Sequence, residues 1–164
     1  MARPVFAGFV FVAAFVQATW LPALLPAGAV PNLVLVLLLV WVALRGIAEG
    51  LLWILGTGFL LDALAMDAIG TNGLALVPVV LAAGLARRRF FHSGMIVPLV
   101  LAVVATIGHG VILATVRSLE MGGGLPSLAA MIRLSVLPAL LNAMLVPPLY
   151  LLANRVNRWE PERA

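Results

Sequence analysis

The sequence predicts an all-α, polytopic membrane protein with six transmembrane helices, and three observations carry that reading. Of its 164 residues 64% are hydrophobic and only 10% charged, and its mean hydropathy is +1.18, whereas a water-soluble domain has far more surface polarity. The apolar residues lie in long uncharged runs, most of them close to the ~20 residues that cross a hydrocarbon core. Such runs fill the chain, so residues 1–164 form a single integral membrane domain with no room for a soluble one.

The first run, 5–25, is preceded only by Arg3. It is too long for a signal-peptide core of roughly 7–15 residues, so it is expected to remain as an uncleaved helix even though Ala27-Gly28-Ala29 imitates a cleavage site. Pro26 to Pro31 turn the chain, and Asn32 stands ahead of the second run, 33–44, which closes at Arg45-Gly46. The third run, 50–66, starts beside Glu49 and contains Asp62. Ala68 to Gly73 are rich in turn and capping residues; the fourth run, 74–86, then holds Pro78 and stops at Arg87-Arg88-Arg89. The fifth occupies 95–116, and Gly122-Gly123-Gly124 with Pro126 interrupts the chain after it. Ser127 to Ala153 as one helix would be about 40 Å long against a core of ~30 Å. Arg133 is therefore expected to split it into an interfacial piece and a crossing at 134–152, kinked by Pro138 and Pro147-Pro148. Trp159 in the tail suits the headgroup belt.

All ten cations are Arg. Six crossings place both termini on one side, together with Arg3, Arg45, Arg87, Arg88, Arg89, Arg155, Arg158 and Arg163, and leave Arg117 and Arg133 opposite. The positive-inside rule then makes both ends cytoplasmic. Arginines scattered between apolar runs read as topology signals and lipid contacts, not as a nucleic-acid surface.

Asp62 is the residue least explained by insertion alone, since a carboxylate within an apolar helix costs about 2.5–3.5 kcal/mol. Its rise from Glu49 puts it roughly 20 Å above the cytoplasmic end, in the outer half. His109 reaches a similar height, and Thr106, His109, Leu113 and Arg117 share one helix face by their spacing of three and four. Asn142 and Gln17 add polar groups at comparable depth. The set Asp62, His109, Arg117, Asn142 and Gln17 reads either as interhelical hydrogen bonds, with Asp62 pairing Arg117 or His109, or as a solute or proton site. Arg45 and Glu49 are spaced for a local ion pair. Gly46 and Gly50 form a GxxxG, and Gly56, Gly58, Gly108 and Gly110 are small enough for close helix approach.

No enzyme is expected. There are no cysteines, and His92 and His109 are the only histidines. Neither paired metal-ligand spacing, nor a nucleophile turn, nor a phosphate loop with its lysine is present. The sequence calls for no metal and no cofactor.

Pro31-Asn32-Leu33 opening the second helix, Gly50, Gly56 and Gly58-Phe59-Leu60-Leu61-Asp62 in the third, and Gly70 and Gly73 in the following turn resemble the MreD family of rod shape-determining proteins. Asn32 stands where the family pattern more often has Asp. The resemblance implies a non-enzymatic component of the elongation machinery (elongasome) that helps control cell shape and lateral peptidoglycan synthesis from the bacterial cytoplasmic membrane. It implies binding to a bitopic MreC-like protein and association with MreB, RodA and its transpeptidase. It also implies a fold similar to the S-components of energy-coupling-factor transporters, so the alternative function is that of a vitamin-binding S-component.

Overall fold

The computed structural model describes residues 2–25, 29–90 and 96–158. His92, Trp159, Arg163 and the Ala27-Gly28 part of the cleavage-like triplet lie outside the described residues, as do the side chains of Arg88, Arg89 and Arg158. Seven helical segments follow in order: α1 (Ala2–Thr19), α2 (Leu21–Leu24), α3 (Leu33–Arg45), α4 (Ile47–Ala65), α5 (Thr71–Phe90), α6 (Ile96–Glu120) and α7 (Leu128–Arg158). No strand occurs among the described residues. Arg3–Leu24, Ile47–Ala65, Ile96–Glu120 and Leu128–Arg155 are each long and apolar enough to cross a membrane; Leu33–Arg45 and Thr71–Arg87 are shorter apolar helices. The chain is an all-helical, multi-pass membrane protein.

Two elements depart from the sequence reading. The first run spans as expected over Arg3–Leu24, but it is interrupted by a turn at Trp20 and resumes as α2 with Pro22 in its first turn. A proline ring in the helix interior removes a hydrogen bond and crowds the carbonyl four residues back. The expected division at Arg133 is absent, for α7 runs through it without interruption. Arg133 is exposed on the helix surface and needs no break to reach water. A helix longer than the core is accommodated by tilting.

α3 is the axle of the bundle. Val34 to Leu44 are all buried, and α1, α4, α5, α6 and α7 each touch this helix. A helix apolar on every side belongs in the middle, and at 13 residues, about 20 Å, it is shorter than the bilayer core. Phe6 of α1 stacks on Trp41 of α3 with centroids 4.0 Å apart and meets the edge of the Trp53 ring of α4 at 4.9 Å. One aromatic cluster thus joins three helices.

Both ends of α3 are closed by side chains. Asn32 Oδ1 accepts from the Leu35 N–H at 2.9 Å and Gln17 Oε1 from the Val34 N–H at 3.2 Å, answering two donors that a helix start leaves unpaired. At the other end Arg87 donates Nε–H to Ala43 O at 3.2 Å and Nη2–H to Leu44 O at 3.0 Å. The first arginine of the triplet therefore caps a buried helix.

Small residues set the closest helix approaches. A β-carbon on Gly58 would lie 2.6 Å from Gly73 Cα, so α4 and α5 meet backbone to backbone there. Gly50 and Gly110 are likewise hemmed in, by Val42 and Val80 and by Ser135. Gly56 and Gly108 face open space, and Gly46 ends α3 with φ +99°; these three do not serve helix packing.

Candidate functional site

Asp62 lies in the last turn of α4, one turn before Met66 ends the helix in a left-handed conformation. Its side chain is 1% exposed and reaches across the turn to the start of α5. Oδ2 accepts the Gly70 N–H at 2.6 Å, while Oδ1 accepts both the backbone N–H of Asn72 at 2.8 Å and its side-chain amide at 2.9 Å. A carboxylate at a helix N-terminus satisfies orphan donors and meets the positive end of the dipole. Gly70, at φ +101°, turns its N–H toward Asp62 in a conformation that L-residues disfavour.

Arg117 does not pair with Asp62, as the sequence reading allowed. Its guanidinium grips Asp67 with two hydrogen bonds, Nε–H to Oδ1 at 2.9 Å and Nη2–H to Oδ2 at 2.6 Å. Asn72 also donates to Asp67 Oδ2, at 3.1 Å, and Thr71 donates its hydroxyl to Glu120 at 3.2 Å. The α4–α5 turn is thus bolted to the end of α6. His109 does not bond Asp62 either. It is 5% exposed, and its Nε2 has no partner among the described residues.

A cavity of about 360 Å³ opens beside this turn, lined by Gln17, Asn32, Leu61, Asn72, His109 and Arg117 among others. The structure therefore brings Gln17, His109 and Arg117 to one space, with Pro31 and Asn32 at its wall. Asp62 sits behind Asn72. Asn142 stands apart from the cavity lining: its amide donates to Thr106 Oγ1 at 2.8 Å between α7 and α6. Of the other expected pairings, Glu49 joins Arg3 of α1, and the Arg45 guanidinium lies 5.3 Å over the Trp41 ring. Gly46 lies between Arg45 and α4, and the Arg45 charge still acts on Glu49.

Sequence reasoning passed over Asp67, although a lone carboxylate in a turn facing an outer-half arginine signalled a partner. It also read Arg87 as charge alone. Nothing in the local pattern announced that Arg87 would cap a helix more than 40 residues earlier.

Gly58, Asp62, Gly70 and Gly73 of the α4–α5 joint are among the residues that carried the family resemblance, and the comparison agrees over almost the whole chain. The family model described as rod shape-determining protein MreD matches residues 3–156. The chain belongs to the MreD family. No curated protein and no solved structure matches it. Within this MreD chain, Gly58, Asp62, Gly70 and Gly73 form a single structural joint, and Asn32 caps the axle helix. Membership assigns the chain to rod shape determination, the role in the family's own description.

Proposed function

We propose that this MreD-family protein is a non-enzymatic scaffold in the bacterial cytoplasmic membrane, crossing it six times with both termini inside. It binds a bitopic MreC-like protein and so helps control lateral peptidoglycan synthesis, in association with MreB, RodA and its transpeptidase. The observation that carries this reading is the use made of the family's residues: Gly58, Asp62, Gly70 and Gly73 all go into fixing one helix against the next. Residues used to hold shape suit a protein that positions others. The alternative of a vitamin-binding S-component draws no support from a matching solved structure. Trp20, Trp41 and Trp53 do not line the cavity beside Asn72, where an aromatic vitamin would need them.

The test is affinity purification from native membranes in mild detergent. Recovery of an MreC-like bitopic protein is the expected result; repeated recovery of transporter ATPases without it would overturn the scaffold reading.

A further inference from the structure

Arg133 is the charge that the rest of the molecule leaves unexplained. On the orientation proposed above, Arg117 and Arg133 stand on the side where the positive-inside rule expects few cations. Arg117 is held by Asp67, whereas Arg133 has no hydrogen bond or ion pair among the described residues. Its place on α7 turns it away from the bundle. Met131, Ser135 and Ala139 are buried, and Ser135 packs on Gly110 of α6, so this stripe is the inner face of the helix. Arg133 stands two positions from both Met131 and Ser135, which at about 100° per residue puts it on the opposite side. It shares that side with Val136, Leu137 and Leu140, all exposed and spaced from it by three, four and seven. An ionised side chain in a membrane helix ordinarily faces protein or water; this one faces lipid.

Depth decides what it meets there. Arg133 and Arg155 are both exposed, every residue between them is uncharged, and the distance from one to the other along the helix is about 33 Å, close to a hydrocarbon core of ~30 Å. With Arg155 at one headgroup layer, Arg133 reaches the other. The Cα–Cβ bonds of a helix tilt toward its N-terminus, and for α7 that is the near end, so the Arg133 stem extends out of the hydrocarbon while its methylenes lie along apolar surface. The segment ahead of it belongs to the same layer. Met121, Leu125 and Leu128 are exposed, and apolar side chains gathered beside a cation suit the boundary between acyl chains and headgroups, not bulk water. The anion of that boundary is phosphate, whose oxygens a guanidinium meets two at a time. A zwitterionic headgroup shares its phosphate with its own ammonium group; an anionic headgroup leaves it free.

We infer that Arg133 binds the phosphate of an anionic phospholipid headgroup, with Met121, Leu125 and Leu128 set among the acyl chains around it. The lipid pins the end of the α6–α7 hairpin in its headgroup layer. The inference is independent of the scaffold reading, since it needs no protein partner.

The experiment uses the absence of cysteine from the sequence to place one fluorophore at a time. One site is Ala129→Cys, exposed one turn from Arg133; the other is Leu55→Cys, an exposed position on α4. The full chain is reconstituted into vesicles of equal parts phosphatidylglycerol and phosphatidylcholine, with bromine quenchers on the acyl chains of one lipid or the other. At Ala129 the quenching should report phosphatidylglycerol enriched about fivefold, the fold-change equivalent to ~1 kcal/mol for one arginine at an anionic surface. At Leu55 the two lipids should quench alike. Arg133→Gln should return the Ala129 ratio to unity with the melting temperature unchanged, because Arg133 makes no bond among the described residues. Arg133→Lys keeps the charge and loses the fork; it should fall between, and it carries the test if the Gln variant folds poorly. Equal quenching by the two lipids at Ala129, or enrichment that survives Arg133→Gln, would overturn the inference. So would loss of the enrichment on adding millimolar glycerol phosphate, which would make the ligand a free phosphate compound. Equal quenching joined to loss of a co-purifying membrane protein from Arg133→Gln would give Arg133 to a partner's carboxylate instead.

Discussion

Oδ1 of Asp62 accepts two hydrogen bonds from one residue, the backbone N–H and the side-chain amide of Asn72, ten positions further along the chain. Together with the bond from Gly70, this makes the carboxylate the N-terminal cap of the helix after its own. Asp62→Leu strands three donors, each costing about 1–3 kcal/mol when buried and unpaired, and should sharply reduce the amount of folded protein. Asp62→Asn keeps one acceptor and turns an NH2 toward a donor, so it should fall between wild type and Leu. Size-exclusion chromatography of detergent extracts measures both, and cells carrying Asp62→Leu should round up in proportion to the loss. If Asp62→Leu protein accumulates normally and binds its partner, yet cells still lose rod shape, the capping role is not what cells need from Asp62.

Glycines on the same helix should respond oppositely to alanine. Gly58→Ala drives a methyl into the Gly73 backbone, whereas Gly56→Ala points into open space. Overpacking of this kind costs roughly 1–3 kcal/mol, so the melting temperature should fall for Gly58→Ala and hold for Gly56→Ala.

How far these features could be read in advance depended on their range. Apolar runs, the polar break at Asn32 ahead of one of them and the Gly-rich turn are local, and they located the helices. Asp62 stood out because an apolar helix has no use for a carboxylate. Its partners did not stand out, since they come within reach only when Met66 and Gly70 take positive φ and fold α5 back against α4. The cavity shows the same division: the heights of Gln17 and His109 followed from helix rise, but Asn142 at a similar height turned toward Thr106, because depth does not fix which side of a helix faces inward. The break at Arg133 failed for another reason. A length limit set by the bilayer does not oblige a helix to end.

Arg87 separates two functions that charge counting merges. Arg87→Lys preserves the positive charge but not the fork that reaches both Ala43 O and Leu44 O. Topology should be unchanged and thermal stability lowered by about 1 kcal/mol, the value of one net hydrogen bond. Cysteine accessibility of the loops and a melting curve on the same variant check the two parts.

Asp67 and Arg117 should behave as a unit. The pair is bidentate, but the Arg117 side chain is 39% exposed, so its coupling is discounted for solvent to about 1 kcal/mol or less. A double-mutant cycle with Asp67→Ala and Arg117→Ala should show the double variant no worse than the more damaging single one. Strict additivity would mean that the pair contributes nothing to the joint.

Both termini should lie in the cytoplasm. A reporter active only in the periplasm, fused after Ala164, should stay silent; strong activity would reverse the proposed orientation.

The short buried helix at the centre also bears on how this protein meets membranes of different thickness. A lone apolar helix of α3's length would thin the bilayer around it or draw in its flanking residues, but α3 touches neighbouring helices on every side and is screened from lipid. The load falls on α6 and α7, with 25 and 31 residues, which can absorb a thicker or thinner bilayer by leaning. They lean about a core whose own length never changes, so the Asp62 joint and the cavity beside it keep their geometry while the rim of the bundle follows the lipid.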